Sequence, residues 1–226
     1  MPEFTKKKLI YILPWAGIII YAIFLAPRGE YDLMVLFDAL ISGNMTGIDG
    51  ILLSLFNFMG IWPLLYFAAF HVDGKKAIII LFLSFFTGGF IIAPYMALRK
   101  EKTDVPLDVR KSKIVKLAEN RIIAILVLIS AIFTLWPALV FGDLNAFINA
   151  FLNTTFVHVM TLDFILLWGL SPFLVFEDMK RRGWGKKQQV LLLTLLPVFG
   201  VIIYGILRPK LSQDSNDSLN PDKEQN

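Results

Sequence analysis

Cysteine is absent from all 226 residues. That removes disulfides, thiolate metal sites, iron–sulfur clusters and a cysteine nucleophile together. It leaves the compartment open, because a membrane protein without cysteine suits any redox environment. Charge is also scarce: Asp, Glu, Lys and Arg make up 18% of the chain, against about 25% in soluble domains. Histidine occurs only as His71 and His158. The chain has no phosphate-cradling P-loop, no G-x-S-x-G, no H-E-x-x-H and no D-D-x-x-D cluster of carboxylates. No residue is therefore assigned a catalytic or metal-binding role, no cofactor is called, and an enzyme is the less favoured class.

What the chain has instead is apolar bulk. It is 56% hydrophobic and 14% aromatic, with a mean hydropathy of +0.65. The apolar residues form long blocks separated by short charged clusters, the pattern of membrane spans rather than of one buried core. The net charge of +4 and pI near 9.2 come from basic residues at the block ends. Anionic lipid headgroups are their expected partners, and nucleic acid is not.

A helix needs about 20 apolar residues to cross the hydrocarbon. Six blocks qualify, at 9–26, 51–72, 77–98, 121–141, 156–176 and 189–207. The expected fold is thus an all-α, polytopic bundle of about six spans in a multi-pass integral membrane protein. The basic start and the first block could suggest a signal peptide. The run from Leu9 to Ala26 is long for one, and Phe24 and Pro27 flank the only cleavage point poorly, so it reads as a retained anchor.

The two halves of the chain resemble each other. At an offset of 109, Pro63 meets Pro172, Tyr95 meets Tyr204, and Leu98-Arg99 meets Leu207-Arg208; at 111, "DLMVLFDALIS" meets "DLNAFINAFLN". This raises a three-plus-three repeat: residues 1–98, a basic linker 99–120, residues 121–210, and a polar tail 211–226 expected to be disordered. Three straight spans per half would invert one half against the other, a plan used by transporters. Asn145, Asn149 and Asn153 recur every fourth residue opposite Phe147, Ile148 and Phe151, which predicts an amphipathic helix lying in the interface.

Orientation is ambiguous on six straight spans. Eight basic residues then share a side with both termini and 14 fall on the linker side, which favours a cytoplasmic or stromal linker, while "KKK" at residues 6–8 pulls the other way. On that plan His71 and His158 lie on the same side.

Four residues are candidates for ligand binding: Asp163, Asn57, His158 and His71. Asp163 carries most weight. Thirteen uncharged residues, Phe164 to Phe176, cover only about 20 Å of helix, so a span must begin near Phe156 and bury Asp163 about two turns deep. A carboxylate there costs about 2.5–3.5 kcal/mol and demands a partner, for which Asn57 is one candidate. Glu177 and Asp178 read as a helix end returning to water beside Lys180, Arg181 and Arg182.

"LFNFMGIWPLLYFAAF", "LSFFTGGFIIAPYMAL", "TLDFILLWGLSPFLVFEDMKRRGW" and "LLPVFGVIIYGILRP" resemble a family of uncharacterised integral membrane proteins of cyanobacteria and chloroplasts. The resemblance implies a multi-span protein of a bacterial inner membrane or a thylakoid membrane, and it transfers no reaction. The function expected is binding of a lipid, pigment or protein partner within the membrane. A small transporter or channel built on Asp163, and an enzyme acting on a lipid or isoprenoid, are the alternatives.

Overall fold

The computed structural model of the chain describes residues 3–30, 33–43, 47–100, 102, 105, 107–185 and 187–211. The polar tail expected to be disordered lies outside the described residues, apart from Leu211. All regular elements described are helical. They are α1 (Glu3–Phe24), α2 (Leu33–Ser42), α3 (Gly50–Phe70), α4 (Lys75–Thr87), α5 (Gly89–Leu98), α6 (Leu107–Arg110), α7 (Lys113–Ala118), α8 (Arg121–Phe141), α9 (Leu144–Asn153), α10 (Thr155–Arg181), α11 (Lys187–Thr194) and α12 (Phe199–Leu207). A 3-10 turn, His71–Asp73, follows α3.

Among the described residues three stretches are long and apolar enough to cross a membrane: Gly50–Asp73, Arg121–Phe141 and Thr155–Arg181. The first block is a helix too, with its apolar part over Lys8–Phe24.

The third and sixth blocks do not run straight. A continuous helix would hold Asp73 and Tyr95 about 33 Å apart, yet the Tyr95 hydroxyl donates to Asp73 Oδ2 at 2.6 Å. The chain turns back at Gly88, whose φ of 52° lies in the left-handed region that glycine tolerates best. So α4 and α5 form an antiparallel hairpin with both outer ends at one end of the bundle. The sixth block does the same. Trp184, just before α11, stacks on Tyr204 of α12 with centroids 5.7 Å apart, and Val198 at the turn has φ 62°.

This corrects the expectation of six straight spans. Gly88-Gly89 breaks the third block and Pro197 the sixth, where a straight span would need its middle. A corollary concerns the ends: both chain termini of the bundle, the α3–α4 turn, the linker and the α10–α11 turn lie together, not on two sides. The interruptions were legible as Gly88-Gly89 and Pro197, but hydropathy has no term for a reversal of direction.

Packing is closest where side chains are smallest. Gly50, at the start of α3, lies against α8 so tightly that an added Cβ would run into the Pro137 carbonyl. Pro137 interrupts the helix ladder, and the nearby Ala138 N–H donates to Ser54 Oγ of α3 at 3.0 Å. Small residues at a contact and a hydroxyl that takes over a displaced backbone group are how apolar helices associate where burial supplies no hydrophobic drive.

The Asn helix forms as expected. In α9, Asp143 caps the first turn through the N–H groups of Asn145 and Ala146. Asn145, Asn149 and Asn153 are exposed, while Phe147, Ala150 and Phe151 pack on α3 and α10.

Candidate functional site

Three places concentrate polar groups among the apolar helices, and the four sequence candidates do not converge on one of them.

The first is a buried ionic cluster at the end where the hairpin bases meet. Asp178 accepts from Arg181 Nη1 at 3.0 Å, Arg182 Nε at 2.8 Å, Arg208 Nη1 at 2.9 Å and the Tyr204 hydroxyl at 2.8 Å. Glu177 accepts from Arg181 Nη2 at 3.0 Å and from Arg99, which also reaches Asp73 at 3.0 Å. Arg182 grips Glu119 with both terminal nitrogens, at 2.6 and 2.7 Å. One network therefore joins the ends of α3, α5, α7, α10 and α12. The expectation that Glu177 and Asp178 return to water is corrected: they are 7% and 1% exposed. Their i,i+3 and i,i+4 spacing to Arg181 and Arg182 puts the charges on one helix face. The guanidiniums from α5 and α12, 78 and 30 residues away, complete the set.

Electrostatics fix the charge state of the linker's contribution. Burial by itself would raise the Glu119 carboxyl, but hydrogen bonds from Arg182 and the charges of Arg208 and Arg182 outweigh it and hold it below its ordinary value. Arg182 loses hydration too, and the Glu119 and Asp178 carboxylates more than restore its preference for the charged form.

His71 belongs to this cluster. Its Nδ1 lies 2.8 Å from the Ala68 carbonyl, which can only accept, so Nδ1 carries a proton. Nε2 sits 3.3 Å from Glu119 Oε1 without hydrogen-bond geometry. His158 is at the other end of the bundle, at the start of α10. The expectation that both histidines share a side fails because the α4–α5 hairpin returns the chain to the end it left. Joint ligation of one group by the pair is thereby excluded.

The second place is the tip of that hairpin. Asp163, 4% exposed, takes the Gly89 N–H between its two oxygens, at 3.0 and 3.1 Å. Gly89 opens α5, so the carboxylate faces the unpaired N–H end of a helix, where negative charge is favoured. Only glycine fits here: a Cβ at Gly89 would sit 2.5 Å from Asp163 Oδ1, and one at Gly88 would collide with Oδ2. Asn57, one candidate partner, makes no hydrogen bond to Asp163; the donor is main chain, which carries no sequence signature. A cavity of about 390 Å³ adjoins Asp163, walled by Phe56, Met59, Phe86, Phe90 and Phe156. The hydroxyls at its edge are engaged: Ser84 with Leu81 O, Thr87 with Leu83 O, Thr155 with Pro27 O.

The third place is a groove of about 880 Å³ between α1 and α10. Ile10, Ile18, Leu162, Ile165, Leu170 and Phe173 form its walls. Gly17 and Gly169 keep it open, since a Cβ at either would meet no atom within 4 Å. Its polar groups are Tyr21 and His158. His158 Nδ1 donates to Phe151 O at 2.8 Å, leaving Nε2 to accept from Tyr21 Oη at 3.1 Å. The imidazole lies between Tyr21 and Phe151 in a three-ring stack, with centroids at 5.5 and 4.2 Å. Tyr21 and Gly17 escaped the sequence reading, and Gly169 read only as a packing or kink residue, because a groove depends on which helices adjoin.

Against known proteins, no family model, curated protein or solved structure matches this chain. Among the described residues no group of three or more His, Asp or Glu is placed to hold a metal ion.

Proposed function

We propose that this chain is an integral membrane protein that holds a neutral, elongated amphiphile in the groove between α1 and α10. The observation that carries the reading is the groove itself, with apolar walls on two apolar helices and one uncharged polar pair at its end. An acyl or isoprenoid chain, or a pigment, suits the walls. A headgroup without charge suits Tyr21 and His158, because no charged side chain among the described residues lines the groove and an ion there would lack a counter-charge.

Four crossings, α1, α3, α8 and α10, and two re-entrant hairpins give the membrane topology. Charge supports it. Of 22 Lys and Arg, Lys186 and Lys223 lie outside the described residues and Arg28 follows α1, so 22 − 3 = 19 fall in segments at the end carrying the ionic cluster. The count of 8 against 14 on straight spans becomes 19 against one, and the positive-inside rule turns this end to the cytoplasm or stroma. Each half then crosses twice, so a repeat would relate the halves by an axis along the membrane normal rather than by inversion. The pairing of α1 with α5 and of α8 with α12 supports that relation.

Extraction of the protein in mild detergent and identification of the bound lipid tests the reading. A stoichiometric neutral amphiphile, lost in Gly17→Trp, is the expected result. A ligand-free protein, or retention in that variant, contradicts it.

A second reading, transport, is favoured by the cavity beside Asp163. It requires flux into reconstituted vesicles that disappears in Asp163→Asn. The groove reading requires no such flux.

A further inference from the structure

At the C-terminal end of α10 a cavity of about 540 Å³ is lined by Phe176, Met179, Lys180, Gly183, Trp184 and Gly185. We propose that it binds the phosphodiester headgroup of an anionic phospholipid, with Lys180 and Trp184 as the recognising side chains. The assignment of that lipid to the cytoplasmic leaflet rests on the orientation proposed above.

The helix ends in a way that builds the site. Gly183 N–H donates to Lys180 O at 3.3 Å and Trp184 N–H to Met179 O at 3.1 Å, with Gly183 at φ 64°. This is a Schellman termination. It swings Trp184 back against Tyr204 and leaves the indole N–H without a partner among the described residues.

Lys180 differs from its neighbours. Arg99, Arg181, Arg182 and Arg208 are each paired with carboxylates. Lys180 is exposed and has no acidic partner among the described residues. A cation left unpaired beside four satisfied ones is available to an external anion. Phe176 lies one turn before Lys180 on the same face of α10, so the cavity runs from apolar depth to the charged end. Lys180 and Trp184 line the same cavity as Phe176 and Met179, and an ammonium, an indole N–H and apolar walls together suit a phosphodiester with the first methylenes of its chains. Tryptophan and lysine at this depth are the usual interfacial anchors, and basic pockets on this leaflet favour acidic headgroups.

Native mass spectrometry of the full chain in maltoside detergent tests the proposal, with phosphatidylglycerol and phosphatidylcholine added in turn. Phosphatidylglycerol adducts should exceed phosphatidylcholine adducts severalfold. Lys180→Gln and Trp184→Phe should each remove most of that preference with the melting temperature unchanged, while Lys75→Gln at the same end should keep it. Equal binding of the two lipids, or a preference that survives Lys180→Gln, overturns the proposal. So does displacement of the lipid by millimolar inorganic phosphate, which would mark a site for the free ion. Because detergent abolishes sidedness, a wrong orientation leaves this result intact and appears only in labelling of oriented vesicles.

Discussion

Asp163 and Gly89, 74 residues apart in the chain, are joined through a carboxylate held on a single backbone N–H. The bond pins the tip of the α4–α5 hairpin to the longest helix. It also explains why a carboxylate stands within an apolar stretch: it satisfies a helix end that would otherwise be buried with an unpaired donor.

Substitutions at this contact should separate charge from hydrogen bonding. Asp163→Asn keeps an acceptor for Gly89 and should retain the fold. Asp163→Leu leaves the N–H unsatisfied, at a cost of about 1–3 kcal/mol. Gly88→Ala should be worse than Gly60→Ala, because a Cβ at Gly88 meets Asp163 in a left-handed backbone whereas one at Gly60 meets nothing within 4 Å. Thermal unfolding in detergent reads all four. Equal melting temperatures for Asp163→Leu and wild type would remove the latch from the account.

Filling the groove should cost ligand and not stability. Gly17→Trp and Gly169→Leu place bulk where the structure leaves open space, so each should lower co-purified amphiphile by at least about tenfold, about 1.4 kcal/mol, at an unchanged melting temperature. His158→Phe keeps the ring stack and loses the Tyr21 hydrogen bond. It should weaken selection of the headgroup while chains still enter, as lipid analysis of the purified variant would show.

Acid should act through Glu119. Its carboxyl is held below the ordinary value in the folded protein, so its contribution is present above the unfolded value of about 4.3. That contribution is lost as pH falls through the lower folded value. Glu119→Gln should therefore cost about 3 kcal/mol at pH 7, since Arg182 loses its bidentate partner. The gap between variant and wild type should narrow below about pH 4. Denaturation followed from pH 7 to pH 3 checks this. A gap that is constant across the range would place the effect in packing and not in charge.

The helices were legible in the sequence and their directions were not. Hydropathy found the six apolar blocks, and the Asn period marked the helix that became α9. Asp163 stood out for a physical reason, the cost of burying it. Its partner did not, because a main-chain N–H at a glycine pair looks like any other. The ionic cluster was visible only as two local pairs, since Arg99 and Arg208 reach Glu177 and Asp178 through hairpins that bring distant block ends together. The same reversal of direction is why His71 and His158 lie at opposite ends of the bundle.

The absence of cysteine from the chain makes the central claim, four crossings with two re-entrant hairpins, directly testable. Single cysteines at Lys76, Lys111 and Lys210, and one at Glu30, can be labelled with a membrane-impermeant maleimide in intact cells and in inverted vesicles. The account predicts that 76, 111 and 210 label together from the cytoplasmic side and that 30 labels alone from the other. Straight third and sixth spans would instead put 76 and 210 with each other and opposite 111. Labelling of 76 and 111 from opposite sides would contradict the hairpins and the orientation derived from them.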